Sequence, residues 1–164
     1  MVTGKLAVSP QTVTSMAAQG ILRVESYETY RNPVHFDELP GEKKKLTEVQ
    51  QEIADDFIRS YDAGDRTPVL LHGITGSGKT EVYMEMIDAM LQRGKQCIVL
   101  IPEIALTYQT LLRFYKRFGD AVSVMHSRLS AGERYDQMKR AKRGEVQVMI
   151  GPRSALFTPF QKLG

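Results

Sequence analysis

Residues 73–80 read Gly-Ile-Thr-Gly-Ser-Gly-Lys-Thr, an order of G-x-x-x-x-G-K-T. Gly73, Gly76 and Gly78 permit backbone angles with φ > 0 and carry no Cβ to hold an anion away from the main chain. Ile74, Thr75 and Ser77 then contribute through their backbone N–H groups, which a loop of this kind turns inward on one point. Lys79 is a mobile point charge of the right reach for β- and γ-phosphates. The Thr80 hydroxyl suits a Mg²⁺ that keeps most of its water. The chemistry these types and spacings support is capture of ATP with Mg²⁺, with Lys79 and Thr80 as the catalytic candidates and Thr80 as the metal ligand.

Such a loop works only between a strand and a helix, because the helix N-terminus adds its partial positive charge at the anion. The apolar residues 69–72 predict a short buried strand, and residues 81–93 predict a helix with Tyr83, Met86, Ile87, Met90 and Leu91 on one face. The pattern continues as strand 96–101, helix 104–118 (Tyr108, Leu111, Leu112, Tyr115, Phe118), strand 121–125, helix 129–143 with Ser130 as a cap, and strand 146–150. Near-continuous apolar strands alternating with amphipathic helices predict an α/β fold with a parallel sheet covered on both faces. Upstream, Thr47 caps a helix whose first turn holds Glu48 and Gln50, with Leu46, Val49, Ile53, Phe57 and Tyr61 as its apolar stripe. Ser9-Pro10 opens a further helix that ends at Gly20, and residues 21–31 alternate like strands or a hairpin.

Composition narrows the class. With 164 residues, 42% of them hydrophobic and 25% charged, the chain has material for one folded domain with a core. A net charge of +3 permits a polyanionic partner without requiring one. The Lys43-Lys44-Lys45 triplet reads as a solvated linker. The single cysteine, Cys97, excludes an intrachain disulfide and a cysteine-based zinc site within these residues, and its apolar neighbours make it a buried strand residue. No apolar run approaches the length of a membrane span and no signal-peptide core is present, so a cytoplasmic protein with no membrane partner is expected.

Ligands of open α/β sheets bind beyond the carboxyl ends of the strands. The segments leaving those ends are distinctive: Pro102-Glu103-Ile104-Ala105-Leu106-Thr107-Tyr108-Gln109, then His126-Ser127-Arg128-Leu129-Ser130 with Gly132-Glu133-Arg134, then Gly151-Pro152-Arg153-Ser154-Ala155-Leu156-Phe157. With the phosphate loop and the Leu46-Thr47-x-x-Gln50 start, this set resembles superfamily-two helicases, and among them the primosomal replication-restart helicases. The resemblance covers residues 46 to 164. It implies a first RecA-like lobe at 46–164, a linker at 32–45, and a winged-helix remnant at 1–31, although residues 9–31 could equally be a small satellite of the lobe.

The same resemblance implies roles. Thr107, Ser127, Arg153 and Ser154 would grip a single-strand backbone, and hydroxyl and guanidinium donors suit phosphate oxygens. Gln50 would read adenine through its amide. The whole enzyme would couple ATP hydrolysis to 3′-to-5′ movement on single-stranded and forked DNA, with replication-restart and primosome proteins as partners. Its acidic D-E-x-H box is expected on a strand after Gly164, and its arginine finger and zinc sites in a second lobe, so these 164 residues alone are expected to show no DNA-stimulated hydrolysis. Glu103 is the first internal candidate for a substitute acid; Asp55 and Asp56 read as a solvated helix face. A small-molecule kinase built on a phosphate loop, or a non-catalytic nucleotide-regulated nucleic-acid-binding module, are the competing classes.

Overall fold

A computed structural model describes residues 9–25 and 45–164. Within them the order is α1 (Pro10–Ala18), α2 (Glu48–Asp62), α3 (Lys79–Gln92), β1 (Cys97–Leu100), α4 (Tyr108–Phe118), β2 (Val122–Val124), α5 (Ala131–Lys142) and β3 (Val148–Gly151). Short 3-10 turns lie at Glu103–Ala105, Gly119–Ala121 and Arg153–Phe157.

The sheet is parallel, in the order β1-β3-β2, with Cys97 beside Val148, Leu100 beside Gly151 and Val124 beside Ile150. Because β3 is central, Val148, Met149 and Ile150 are fully buried. Successive strand residues face opposite ways, and the core divides accordingly. Val148 and Ile150 join Val124 under Met84 and Ile87 of α3 and Leu111 and Phe114 of α4. Met149 faces the other way, among Met125, Leu129, Ala141 of α5, Val146 and Ala155. Helices therefore cover both faces, as expected for this α/β class.

Local chemistry sets where the helices begin. Thr47 and Gln50 form a reciprocal capping box on α2, Ser130 and Glu133 another on α5, and the Ser9 hydroxyl accepts from Thr12 N–H to cap α1. Each satisfies orphan N–H groups of a first turn. Two ion pairs fix α4 against α3 at matching four-residue intervals: Arg113 with Glu81 at 3.2 Å, and Arg117 with Glu85 at 2.7 Å. At the far end of α2, Arg93 grips Asp62 through Nε at 2.8 Å and Nη2 at 2.6 Å.

The structure departs from the sequence reading in several places. Residues 69–72 form no strand; they are extended and unladdered, with Val69 60% and Leu70 87% exposed. A buried strand needs ladder partners and cover, and here it has neither. The outer edge of β1 is met at Gln96 by a parallel bridge to Leu163. A slot of about 440 Å³, lined by Phe57, Tyr61, Met86 and Met90, keeps Val69 apart from Cys97 and Ile98. The expected helix 104–118 begins only at Tyr108, because Thr107 takes the cap position and accepts from Thr110 N–H. Tyr83, Val49 and Tyr108 are exposed rather than core, while Val82, Met84 and Phe114 are buried in their stead. Residues 21–25 form no strand. The linker and most of the alternating stretch 21–31 lie outside the described residues.

Candidate nucleotide site and the loops beside it

The phosphate loop enters α3 directly. Gly76 and Gly78 sit in the left-handed region, at φ of 85° and 82°. From there the chain turns so that Lys79 and Thr80 open the helix. Glu81 N–H bonds to Gly78 O at 2.9 Å. The N–H groups before it belong to the orphan set of a helix start and point out of its end. Such a cradle could receive nucleotide phosphates, with Lys79 placed where it could pair their charge and Thr80 where its hydroxyl could take a Mg²⁺ ion. Lys79 Nζ donates to the carbonyls of Gly73 and Ile74, each at 2.7 Å. Its ammonium is thus drawn over the loop, and its three protons allow a further acceptor there.

Gln50 is the residue whose structural part was least visible in the sequence. Its Oε1 accepts from Thr47 N–H at 3.0 Å, while its Nε2 donates to Ser77 O at 3.0 Å. A single amide therefore caps α2 and braces the phosphate loop. A Cβ on Gly78 would collide with that same Nε2. Gly78 is required twice over, by its φ and by the closeness of Gln50. The capping half was legible as Thr-x-x-Gln; the brace spans 27 residues of sequence and had no local sign.

The other loops leave the carboxyl ends of β1, β2 and β3. Glu103, on the turn after β1, is where they meet. Its Oε1 accepts from Ser127 N–H at 3.0 Å and from the Ser127 hydroxyl. Hydrogen bonds from Ser127, followed by the nearby charges of His126 and Arg128, hold the Glu103 carboxyl below the usual carboxylate range. Glu103 also lines a second hollow with Pro102, Pro152, Arg153 and Ser154. The Arg153 and Ser154 side chains are exposed, and among the described residues no hydrogen bond or ion pair holds them. Thr107 caps α4, its hydroxyl 3.0 Å from that of Thr110. Glu103, Ser127, Arg153 and Ser154 thus gather around one edge of the sheet, with Thr107 four residues beyond Glu103. Among the described contacts, none joins Glu103 to Lys79 or Thr80. Asp55 and Asp56 bond within α2 to Gln51 and Arg59, as a solvated face would. Burial pushes the Cys97 thiol up to about 11, which makes it a packing residue rather than a nucleophile.

Comparison with known proteins agrees with this arrangement. Residues 43–163 match the family described as type III restriction enzyme, res subunit. The "Replication restart protein PriA" of Bacillus subtilis is 42% identical over 98% of this chain, which covers 20% of that protein. Its namesake in Synechocystis is 39% identical over 95% of this chain and 18% of its own length. The Haemophilus influenzae namesake is 50% identical over 58% of this chain and 13% of its own. The chain spans about a fifth of the length of the first two of these relatives. The resemblance seen in the motifs to primosomal replication-restart helicases is borne out by these matches. Since the matched residues make up well over half of its length, the chain belongs to the family described as type III restriction enzyme, res subunit.

Proposed function

We propose that these residues are the ATP-binding lobe of an ATP-dependent 3′-to-5′ DNA helicase that acts in replication restart and primosome assembly. The observation that carries this reading is the phosphate loop itself: two left-handed glycines lead into α3, and Lys79 and Thr80 stand at its start under the Gln50 brace. The similarity to proteins named for replication restart supports the biological setting.

In this reading Gly73, Ile74, Thr75, Gly76, Ser77 and Gly78 wrap the phosphates, Lys79 pairs their charge, and Gln50 orients the loop and meets the adenine. Thr80 would hold a Mg²⁺ ion together with the nucleotide, and that ion would supply charge neutralisation at the phosphates. Thr107, Ser127, Arg153 and Ser154 hold single-stranded or forked DNA by its backbone, without reading sequence. A winged-helix remnant at 1–31, zinc in a further lobe, primosome proteins as partners and a cytoplasmic setting belong to the same proposal. No helix among the described residues is long and apolar enough to cross a membrane.

Calorimetry with Mg-ATP tests the nucleotide half. Wild type should bind, and Lys79→Ala should bind at least roughly tenfold more weakly, as expected when a charge-assisted contact is lost. Equal affinity in the two proteins would remove the phosphate loop from the proposal.

A further inference from the structure

Ser127 presents two donors, its backbone N–H and its hydroxyl, to a single point, and one oxygen of Glu103 occupies that point. Arg128 and His126 flank it and act on the same carboxylate. The hollow below has a volume of about 440 Å³ and is otherwise walled by Ile104, Leu106 and Leu111. His126 Nδ1 is buried there without a hydrogen-bond partner among the described residues. Two convergent donors beside a guanidinium form a receptor for one oxyanion. They do not distinguish a carboxylate from a phosphodiester, since each offers an anionic oxygen with one net negative charge.

We infer that Ser127, with His126 and Arg128, forms a seat for one backbone phosphate of a nucleic acid, and that Glu103 fills this seat as an internal stand-in which the phosphate must displace. This deepens the proposed DNA role of Ser127 and rests on that reading. Glu103 is then neither a catalytic acid nor a passive strut. It is exposed on a three-residue turn, so its side chain can swing out without disturbing β1. Left beside a bound phosphate it would repel it, so its departure is part of binding. The loop after β1 and the loop after β2 are tied together in the free protein, and entry of the strand unties them.

The test is fluorescence anisotropy with a labelled oligothymidylate of about 20 nucleotides, across a salt series, on the whole chain. Emptying the seat with Glu103→Ala should tighten binding by about three- to tenfold, and should leave the log–log salt slope nearly unchanged, because the same phosphate contact forms in both complexes once Glu103 has swung out. Glu103→Gln keeps an acceptor but loses the charge, so it should fall between wild type and Glu103→Ala. In a Ser127→Ala background the gain should shrink to less than about twofold, because one of the two released donors is gone. Should Glu103→Ala fail to fold, Glu103→Gln carries the same comparison. Equal or weaker binding by both Glu103 variants overturns the stand-in and makes the residue a strut. A gain that persists in full without the Ser127 hydroxyl reduces it to general charge repulsion and also overturns it. If wild type and every variant fail to bind the oligonucleotide at low salt, the nucleic-acid reading falls as well. Wild-type binding unaltered by Glu103 substitution removes only the present inference.

Discussion

The sheet and the phosphate loop are held by different means. Loops after β1, β2 and β3 spring from strands that are laddered to one another, with the central β3 buried along its length. The phosphate loop follows residues with no ladder, two of which, Val69 and Leu70, stand largely in solvent. It is positioned from the other side, by α2: Gln50 reaches Ser77 at one end of that helix, and Asp62 reaches Arg93 at the other. A functional motif can thus be well placed although the strand that introduces it is not formed. The motif is a local property of eight residues; the strand is a property of its neighbours.

Substitutions in the two regions should separate them sharply. Ile150→Ala removes a fully buried side chain from the central strand, beneath α3 and α4. A loss of about 2–5 kcal/mol is expected for a deletion of this size in a closed core. Leu70→Ala, at an exposed position, should stay within about 0.5 kcal/mol of wild type. Urea unfolding of both variants checks this. Comparable destabilisation would show that residues 69–72 pack as firmly as the sheet, and the contrast would be gone.

Arg117 comes next in size. Its side chain is 9% exposed and bridges Glu85 and Asp88, at 2.7 and 3.3 Å, from α4 to α3. Arg117→Ala would take a charged hydrogen-bond partner from two partly buried carboxylates, at a cost of about 2 kcal/mol. This pairing joins the helix that carries the phosphate loop to the sheet-covering face. Nucleotide affinity should therefore fall together with stability, whereas Ile150→Ala in protein that remains folded should leave affinity near wild type. Calorimetry on the folded fraction reads the difference.

Glycine substitutions probe the loop itself. Alanine at Gly76 meets open space and suffers only its left-handed backbone, at about 1–2 kcal/mol. Alanine at Gly78 has the same backbone strain and also drives its Cβ into Gln50 Nε2. Gly78→Ala should therefore lose more Mg-ATP affinity than Gly76→Ala, and Gln50→Ala in the same chain should recover part of the difference. Identical losses at the two glycines would mean that Gln50 does not brace the loop.

How much of this could be read from the residues follows the same division. Helix caps at Thr47 and Ser130, the phosphate loop, and three of the four expected strands are written in adjacent residues, and all formed. The fourth strand depended on partners far away in sequence, and its apolar run alone could not supply them. Helix faces were predicted from spacing, which identified Ile87 and Leu111 correctly but exchanged Tyr83 for Met84 and passed over Phe114. Spacing fixes which residues share a face, not which face meets the sheet. Glu103 was seen only as a spare acid. Its bond to Ser127 joins residues 24 apart, and only the folded sheet edge brings them together.

The smallest effect concerns the far end of α2. Asp62 is held below its ordinary value of 3.8, chiefly by the hydrogen bond from Arg93, with the Arg93 and Arg66 charges adding to it. A carboxyl depressed by folding contributes stability that is present above its unfolded value and is lost as the pH falls through its folded one. The Asp62–Arg93 contribution should therefore be complete at neutral pH and fade below about 3.8. Because the pair is exposed to solvent, the shift in unfolding midpoint should be slight and should diminish with added salt. The clean measurement is the midpoint difference between wild type and Asp62→Asn, followed from pH 6 to pH 2. Asp65 is lowered too, mainly by hydrogen bonds from Thr67, and titrates in the same range, but it is present in both proteins and cancels. A difference that shrinks toward zero in acid confirms the brace. A difference that stays constant across the whole range would mean that Asp62 acts through packing, leaving Gln50 as the side chain that braces the phosphate loop from α2.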